Sequence, residues 1–271
     1  MIAKRHSIFR SNPRASAQGA SHRERAVQPA ARPGSAPAGK RVLDVTCVLL
    51  AAPVLIPLAV LIAAFIRWVS PGPVLFLQER VGYRGRRFIC FKFRTMKVNA
   101  DVGIHQRHVA DLIRSTAPMV KMDDHGDPRL IPFGALLRAA GLDELPQLLN
   151  VVRGEMSLVG PRPCMGYEFE HYNQSQRRRF DTLPGLTGLW QVSGKNKTTF
   201  SEMIEMDLYY TENKSLWLDL KILMMTIPAL LSQLKATRLP HQPGWEAPGR
   251  GLDRLPSRES RAATFQQLFG N

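Results

Sequence analysis

The sequence predicts an α+β protein that is mainly helical and has one segment suited to contact with a membrane. First, positions 45–66 form an uncharged, mostly apolar run, which is long enough for a membrane helix. Second, the β-prone runs 74–78 and 88–95 flank the turn-forming segment 82–85, so we expect a small β-hairpin. Third, the later segments are mostly helical in character, as in the amphipathic to apolar stretch 216–235.

The composition predicts one folded domain with appendages. A chain of 271 residues with 44% hydrophobic content can bury one substantial core. Residues 1–39 are rich in Arg, Ser, Ala, Pro and Gly and lack the apolar core of a signal peptide, so we predict a disordered basic arm. The membrane segment is expected over 40–70, a compact cytosolic domain over 71–236, and a Pro/Gly/Arg-rich tail over 237–271.

The charge balance indicates a polyanionic partner. Lys and Arg total 37 against 22 Asp and Glu, which gives a formal net charge of +15. Nucleic acid, anionic lipid and a phosphorylated substrate would all fit this excess. Much of the excess lies in the basic arm, and the sequence has no helix-turn-helix pattern or aromatic-basic platform, so we do not expect nucleic acid as a partner.

The three cysteines, Cys47, Cys90 and Cys164, are far apart and include no C-x-x-C pair. This spacing indicates neither a disulfide framework nor a zinc site, and it fits a reducing, cytosolic setting. The polar segment 99–129 contains several His and Asp residues, but their spacing matches no metal-ligand pattern. We therefore assign that segment to loop and surface helix.

The apolar run is compatible with two membrane topologies. Pro53 and Pro57 lie in its middle, one helical turn apart, and each removes a backbone hydrogen bond and favours a kink. Basic residues flank the run on both sides, whereas a spanning helix normally has its Lys and Arg excess on the cytoplasmic side. A helix that reverses at the prolines explains the symmetry, and a transmembrane helix with tolerated prolines is the alternative. The residues alone do not separate the two.

The strongest chemical signal is a pair of adjacent acids, Asp143 and Glu144. They precede Pro146 at the expected start of a helix, where unpaired N–H groups favour negative charge. An N-cap role for Asp143 is the simpler alternative. Against it stand the second acid, Arg138 five positions upstream and Arg162 in a Gly-Pro-Arg-Pro turn downstream. A carboxylate can attack phosphorus while its neighbour holds a divalent cation, so this grouping points to phosphoryl chemistry.

Three further basic residues are candidates for phosphate binding. Lys92 and Arg94 share one face of the second predicted strand, because side chains alternate along a strand. Lys195 lies in the glycine-punctuated segment 184–196, which is suited to close approach of the backbone to a ligand, although it could also be a turn-rich connector. A glycosidase is disfavoured, because adjacent acids cannot easily stand on opposite sides of a glycosidic bond.

Several sequence blocks, in this order, make the chain resemble the bacterial sugar transferase family of monotopic polyprenyl-phosphate sugar-1-phosphate transferases. The blocks are KRVLD, SPGPVLFLQERVG, FKFRTM, LDELPQLLNVVRGEMSLVGPRP and PGLTGLWQVSGKN. Each block is weak alone, and their shared order is highly specific. The sequence departs from relatives at Ile56, where some have Ser, and at Gly141, where Ser is common. Larger relatives have an N-terminal four-helix membrane domain, and the basic arm stands in its place here.

The resemblance implies a role for each site residue. It makes Pro57 the break of a re-entrant helix hairpin, Asp143 the nucleophile and Glu144 the Mg²⁺ ligand. It makes Arg138 and Arg162 phosphate-binding residues, to which we add Lys92, Arg94 and Lys195 as candidates. The implied reaction transfers hexose-1-phosphate from a UDP-hexose, glucose or galactose, to undecaprenyl phosphate through a phosphoaspartyl intermediate, with release of UMP. This is the first membrane step of exopolysaccharide synthesis.

The same resemblance sets the expected location and partners. We expect the protein at the cytoplasmic face of the bacterial inner membrane, in contact with anionic lipid, and we leave homo-oligomerisation open. A non-catalytic, membrane-anchored scaffold of a polysaccharide assembly complex is the alternative. Such a scaffold would need the membrane segment but would tolerate loss of Asp143.

Overall fold

A computed structural model describes residues 37–98, 111–113, 115, 117–119, 127–194 and 198–238. Most of the predicted basic arm, almost all of the predicted tail and most of the polar segment 99–129 lie outside the described residues. Lys195 also lies outside them.

The described chain is mainly helical and has two small sheets, as predicted for its class. The helices are α1 (Ala38–Val69), α2 (Gly134–Ala139), α3 (Leu148–Arg153), α4 (Gly166–His171), α5 (Gln174–Arg177), α6 (Leu189–Val192), α7 (Phe200–Asn213) and α8 (Leu216–Arg238). The strands are β1 (Leu75–Val81), β2 (Arg87–Phe93), β3 (Ser157–Val159) and β4 (Gly185–Thr187). Three short 3₁₀ helices cover Tyr83–Gly85, Leu142–Gln147 and Arg178–Phe180.

The predicted β-hairpin is confirmed. Strands β1 and β2 pair antiparallel, with a register that runs from Leu75 opposite Phe93 to Val81 opposite Arg87. The second sheet is a short parallel pair of β3 and β4, which sequence reasoning did not identify.

Helix α1 contains the apolar run and is one 32-residue helical element that includes both Pro53 and Pro57. The predicted reversal at Pro57 therefore stays a prediction. Much of the surface of α1 is apolar and exposed, as at Leu49, Val54 and Leu61. By length and composition alone, α1 and residues Leu216–Leu234 of α8 are both candidate membrane spans. Sequence reasoning took the uncharged part of α8 as too short to span, but the helix also includes apolar residues before Lys221.

The two ends of α1 pack against the same domain. In its first turns, Arg41 donates hydrogen bonds to the carbonyls of Val151 and Val152 in α3. One helical turn later, the Asp44 carboxylate accepts a hydrogen bond of 3.1 Å from the Leu158 N–H in β3. In its last turns, a buried cluster joins α1 to β2 and α2; its members are Ile62, Ile66, Phe93, Ile131 and Leu137.

A buried polar network holds the first turn of α1. Lys40 Nζ lies 2.7 Å from Asp219 Oδ2 in α8, and both side chains are almost fully buried. Lys40 also donates to the Tyr210 hydroxyl in α7 at 3.1 Å. That hydroxyl lies within hydrogen-bonding distance of the Val159 carbonyl in β3. Four elements that are far apart in sequence are thus joined at one point.

Candidate active site

The two acids lie in the 3₁₀ helix Leu142–Gln147, which we call the acid-pair helix. Its N-cap is Gly141, whose φ of 67° is in the left-handed region where glycine carries little strain. Asp143 and Glu144 therefore lie inside the first turn rather than at the cap. The N-cap alternative for Asp143 does not describe this structure. Asp143 is buried, with 8% of its surface exposed, whereas Glu144 is half-buried.

Asn150 holds the helical segment that follows the acid pair against strand β2. Its side-chain Oδ1 accepts from the Phe91 N–H at 3.1 Å, and its Nδ2 donates to the Ile89 carbonyl at 2.7 Å. Nδ2 also donates to Glu155 at 2.7 Å. The amide thus bonds the backbone of β2 as a neighbouring strand would. Because Asn150 is fully buried, these bonds fix the position of α3, directly after the acid-pair helix, against β2.

The structure brings together three of the predicted site residues, Lys92, Glu144 and Arg162. Lys92 Nζ, from β2, lies 3.0 Å from Glu144 Oε1. Arg162 Nη1, from the turn after β3, lies 3.7 Å from the same oxygen. One carboxylate thus faces two cations on separate elements. Their catalytic roles stay predictions, but their convergence provides a site for an anionic ligand.

A pocket opens beside this cluster. Besides Lys92, Glu144 and Arg162, its walls include Arg80, Gln147, Gln191 and Leu186. Three of these wall residues are cationic and one is a carboxylate. Such a pocket favours a ligand with net negative charge.

Arg94 occupies a different place from the one predicted. It follows the last residue of β2, and its guanidinium donates to the Ser70 hydroxyl at 3.0 Å, the Ser70 carbonyl at 2.8 Å and the Pro73 carbonyl at 2.6 Å. These bonds fasten the end of α1 to the hairpin. Arg94 therefore has a structural position one residue beyond β2, and its phosphate-binding role stays a prediction.

Arg138 lies in the last turn of α2, before the acid-pair helix. It is not among the wall residues of the pocket in the described part of the chain. The pKa of the Asp127 carboxyl is lowered, chiefly by the Arg129 side chain and to a smaller extent by the Arg138 charge. The phosphate-binding role of Arg138 stays a prediction.

Sequence reasoning missed Arg80, which it counted only as a flanking charge. The side chain is buried, and its Nη1 donates to the Pro163 carbonyl at 3.1 Å. Burial lowers the pKa of the Arg80 guanidinium, with a smaller lowering from Arg162. In the hairpin register Arg80 is opposite Phe88, so it shares a face with Cys90 and Lys92. That face could have been derived from the predicted hairpin.

A second buried guanidinium, that of Arg179, binds the backbone of the turn that contains Arg162. Arg179 donates to the Arg162 carbonyl at 3.0 Å and to the Tyr172 hydroxyl at 2.9 Å. It also forms an ion pair with Asp207 in α7, and both side chains are fully buried. The carbonyls of Arg162 and Pro163 are thus held by two arginines, which fixes the backbone from which the Arg162 side chain extends.

The glycines of segment 184–196 serve backbone packing in the described residues. A Cβ at Gly185 would stand 2.1 Å from the Gly160 nitrogen, and one at Gly188 would stand 2.3 Å from the Gly160 carbonyl oxygen. The Gly160 N–H donates to the Thr187 carbonyl at 3.0 Å. The close approach in the structure is between the paired strands β3 and β4 and the residues that follow them, and an approach to a ligand stays a prediction. This packing places the Arg162 turn beside the pocket wall at Leu186.

The donor set fits Mg²⁺ bound in part by substrate. Among the described residues, no group of three or more His, Cys, Asp or Glu side chains is placed to hold a metal. Mg²⁺ in phosphoryl-transfer sites needs only one or two carboxylates, because water and substrate phosphates complete its octahedron. Glu144, at the pocket wall, supplies a hard oxygen ligand of this kind.

The comparison with protein families agrees with the motif order. The family model described as "Bacterial sugar transferase" matches residues 35–233. The chain belongs to the bacterial sugar transferase family. This match confirms the resemblance drawn from the sequence blocks, and it covers the acid pair, the pocket, α1 and most of α8.

Relatives with named activities share the same region. The chain is 40% identical over 193 residues to exopolysaccharide production protein ExoY of Rhizobium meliloti, covering 70% of this chain and 84% of that protein. It is 41% identical over 201 residues to the UDP-glucose:undecaprenyl-phosphate glucose-1-phosphate transferase of Caulobacter vibrioides, covering 71% and 70%. It is 40% identical over 198 residues to galactosyl transferase CpsE of Streptococcus agalactiae, covering 71% of this chain but only 42% of that longer relative.

Proposed function

We propose that this protein transfers hexose-1-phosphate from a UDP-hexose to undecaprenyl phosphate and releases UMP. The observation that carries the proposal is the convergence of Lys92 and Arg162 on Glu144, directly beside Asp143. Relatives are named for sugar-1-phosphate transfer to undecaprenyl phosphate and for exopolysaccharide production. The reaction would be the first membrane step of exopolysaccharide synthesis.

In the first half-reaction, a carboxylate oxygen of Asp143 attacks the phosphorus that carries the sugar. A phosphorus–oxygen bond forms to Asp143, the bond to the bridging oxygen breaks, and UMP leaves with the electron pair. In the second half-reaction, a phosphate oxygen of undecaprenyl phosphate attacks the same phosphorus and displaces Asp143. The product is undecaprenyl-diphospho-hexose, and the carboxylate is regenerated.

The cations of the pocket supply what this chemistry needs from the protein. An anionic carboxylate can approach a diphosphate only when charge on the phosphate oxygens is offset. Lys92 and Arg162 are positioned to provide this offset, and Arg162 can bind two phosphate oxygens with its planar guanidinium. A Mg²⁺ ion bound by Glu144 and the substrate phosphates would add Lewis-acid polarisation of the phosphoryl oxygens.

Glucose or galactose is the proposed sugar. The relatives include one named for UDP-glucose and one named as an undecaprenyl-phosphate galactose phosphotransferase, from Salmonella typhimurium. The two sugars differ in the orientation of one hydroxyl, which a single hydrogen-bonding side chain can decide. An acetamido sugar would need partners for its N–H and C=O, because burying them unpaired costs about 1–3 kcal/mol.

The test is product formation by the purified, detergent-solubilised protein. It is supplied with undecaprenyl phosphate, Mg²⁺ and, in separate reactions, UDP-glucose, UDP-galactose or UDP-N-acetylglucosamine. We expect UMP and the lipid-linked sugar to appear in equal amounts with one or both UDP-hexoses. Absence of UMP with every donor would overturn the transferase proposal. UMP with UDP-N-acetylglucosamine alone would overturn only the choice of sugar.

A further inference from the structure

Arg80 is a buried cation that no carboxylate in the described chain neutralises at ion-pair distance. Only 6% of its surface is exposed. Its three hydrogen bonds go to uncharged groups: Nε and Nη2 donate to Gln78 Oε1, and Nη1 donates to the Pro163 carbonyl. An arginine has five N–H groups, so two remain for another partner.

Burial has the largest effect on the pKa of the Arg80 guanidinium and lowers it. The charges around Arg80 are mixed, since Arg162 lowers this pKa while Glu168 and Glu144 raise it. Arg80 lies in the wall of the pocket together with Lys92 and Arg162, and Glu144 is the one carboxylate of that wall. Glu144 Oε1 is already approached by both of the other cations. A buried charge is costly unless it is paired, so this arrangement favours an anion in the pocket.

Arg94 shows that burial alone would not require an anion. It is equally buried and also donates to uncharged groups. Its acceptors include the Ser70 carbonyl at the C-terminus of the 32-residue helix α1, where the helix dipole stabilises a cation. Arg80 has no helix terminus among its acceptors, because Pro163 follows a strand and turn.

The other wall residues indicate which anion fits. Gln147 is 3% exposed and lines the pocket. Gln191 also lines the pocket, and its buried Oε1 lacks a partner there. With an enclosed volume of about 10 Å³, the pocket is too small to contain a nucleoside, so Gln147 and Gln191 can meet its polar edge only at the mouth. The lipid acceptor, by contrast, would present only its phosphate and an apolar chain.

We propose that Arg80 binds the phosphate of the uridine nucleotide, with Gln147 and Gln191 facing the nucleoside at the mouth of the same pocket. This inference rests on the proposed function, because it takes a UDP-sugar as the donor. Arg80 would then hold the phosphate of UMP before and after the bond to the sugar phosphate breaks. Its fixed position, set by Gln78 and Pro163, lets it bind without reorganisation.

The test is equilibrium binding of labelled UMP to the purified protein, with uridine as the competing neutral probe. Charge-assisted hydrogen bonds are strong, so we expect Arg80→Gln to weaken UMP binding by roughly tenfold or more. Uridine affinity should change by less than about twofold. The control is Arg87→Gln, which removes an exposed cation of the same hairpin that pairs with Glu79. It should bind UMP as the wild type does.

The outcomes separate a phosphate contact from support of the fold. Equal weakening of UMP and uridine would show that Arg80 only holds the Pro163 turn, and would overturn the proposal. Unchanged UMP affinity with a raised KM for undecaprenyl phosphate would assign Arg80 to the acceptor and also overturn it. If Arg80→Gln does not fold, Arg80→Lys replaces it, and UMP affinity equal to wild type in that variant counts against the proposal. UMP binding that depends on Arg80, without UMP release from any UDP-sugar, would instead contradict the proposed reaction.

Discussion

At the scale of single residues, the acid pair shows how neighbouring carboxylates acquire different surroundings. Asp143 is almost fully buried, while 24% of the Glu144 side chain is exposed and its Oε1 faces Lys92 and Arg162. A single step along the acid-pair helix, a 3₁₀ helix, turns the side chain by about 120°, so the two cannot face the same partners. This difference supports separate proposed roles for the two acids. Asp143 would attack phosphorus, and Glu144 would bind the Mg²⁺ that offsets the phosphate charge.

The first prediction concerns Asp143→Asn. We expect transfer to fall by roughly a thousandfold or more, because the amide is nearly isosteric but a far poorer nucleophile. The measurement is lipid-linked sugar formation, with thermal unfolding as the check that the fold is kept. Asp181→Asn, which changes an exposed carboxylate, is the control and should stay active. Near-wild-type activity of Asp143→Asn would instead favour the non-catalytic scaffold.

The second prediction concerns the metal. Glu144→Gln keeps the size of the side chain but removes its charge, so we expect the concentration of Mg²⁺ needed for half-maximal rate to rise about tenfold. A chelator should abolish transfer by the wild type, and added Mg²⁺ should restore it. A wild-type rate that does not respond to the chelator would contradict the assignment of Mg²⁺.

The residues that sequence reasoning found and missed differ in how their positions are determined. Asp143, Glu144, Lys92 and Arg162 belong to local patterns of charge, proline and glycine, which are visible in the sequence. Arg80 acts through a contact with Pro163, more than eighty positions away. Whether a cation is buried, and whether a carboxylate lies near it, depends on such distant contacts. Local sequence patterns do not predict either property.

At the scale of elements, the turn before α2 sets the position of that helix against the hairpin. Arg138, in the last turn of α2, is positioned with it. The backbone after β2 pairs with this turn, since the Ile131 N–H donates to the Thr95 carbonyl at 3.0 Å. Within the turn, Asp127 accepts hydrogen bonds from the Arg129 N–H and from its guanidinium. This small ion pair thus lies at the start of the segment that leads to the acid pair.

The third prediction is the pH dependence of that turn. Because Arg129 lowers the pKa of Asp127 in the folded state, the ion pair stabilises the protein above the unfolded pKa of about 3.9. The stabilisation is lost as pH falls through the lower, folded pKa. We expect Asp127→Asn to lower Tm at pH 7, with a gap to wild type that narrows below about pH 4. A gap of equal size at both pH values would show that the effect is not electrostatic.

The elements differ in how well local sequence predicts them. The hairpin follows from two β-prone runs and a glycine turn, and α1 follows from a long apolar run. Strands β3 and β4 have three residues each, which is too short to show an alternation of polar and apolar residues. A long segment also separates them in the sequence. Their pairing depends on the contact of Gly160 with Gly185, where a side chain would not fit. Tertiary packing, rather than local propensity, forms that sheet.

At the scale of the whole molecule, exposed apolar side chains lie on several elements besides α1. They include Leu75 and Phe76 on β1, Leu149 and Val152 on α3, and Trp217 and Leu220 on α8. Large exposed apolar surfaces mark sites of interaction with membranes or proteins. Together with the uncharged surface of α1, they support the proposal that the domain rests on the membrane that its first helix enters.

The packing of α1 bears directly on its topology. A straight helix of 32 residues would be about 48 Å long, more than the roughly 30 Å of a hydrocarbon core. Its first turns are bound to the domain through Lys40 and Arg41, and its last turns through Ile66 and the Ser70–Arg94 contact. One polar domain cannot hold both ends from opposite sides of a bilayer. The contacts therefore agree with the predicted re-entrant topology, in which both ends of α1 lie on one side of the membrane, while the reversal at Pro57 and the cytoplasmic location stay predictions.

The last prediction tests this topology in intact cells with an impermeant thiol reagent added to the periplasm. Ala38→Cys and Arg86→Cys place single thiols before and after α1, in a background where Cys47, Cys90 and Cys164 are changed to Ala. We expect both to resist labelling in intact cells and to react after permeabilisation, because one domain holds both ends of the helix. Labelling of Ala38→Cys alone would show a spanning helix and would contradict the contacts of Lys40 and Arg41 described above. Transfer activity of each variant, measured in parallel, ensures that the labelled molecules have the functional topology.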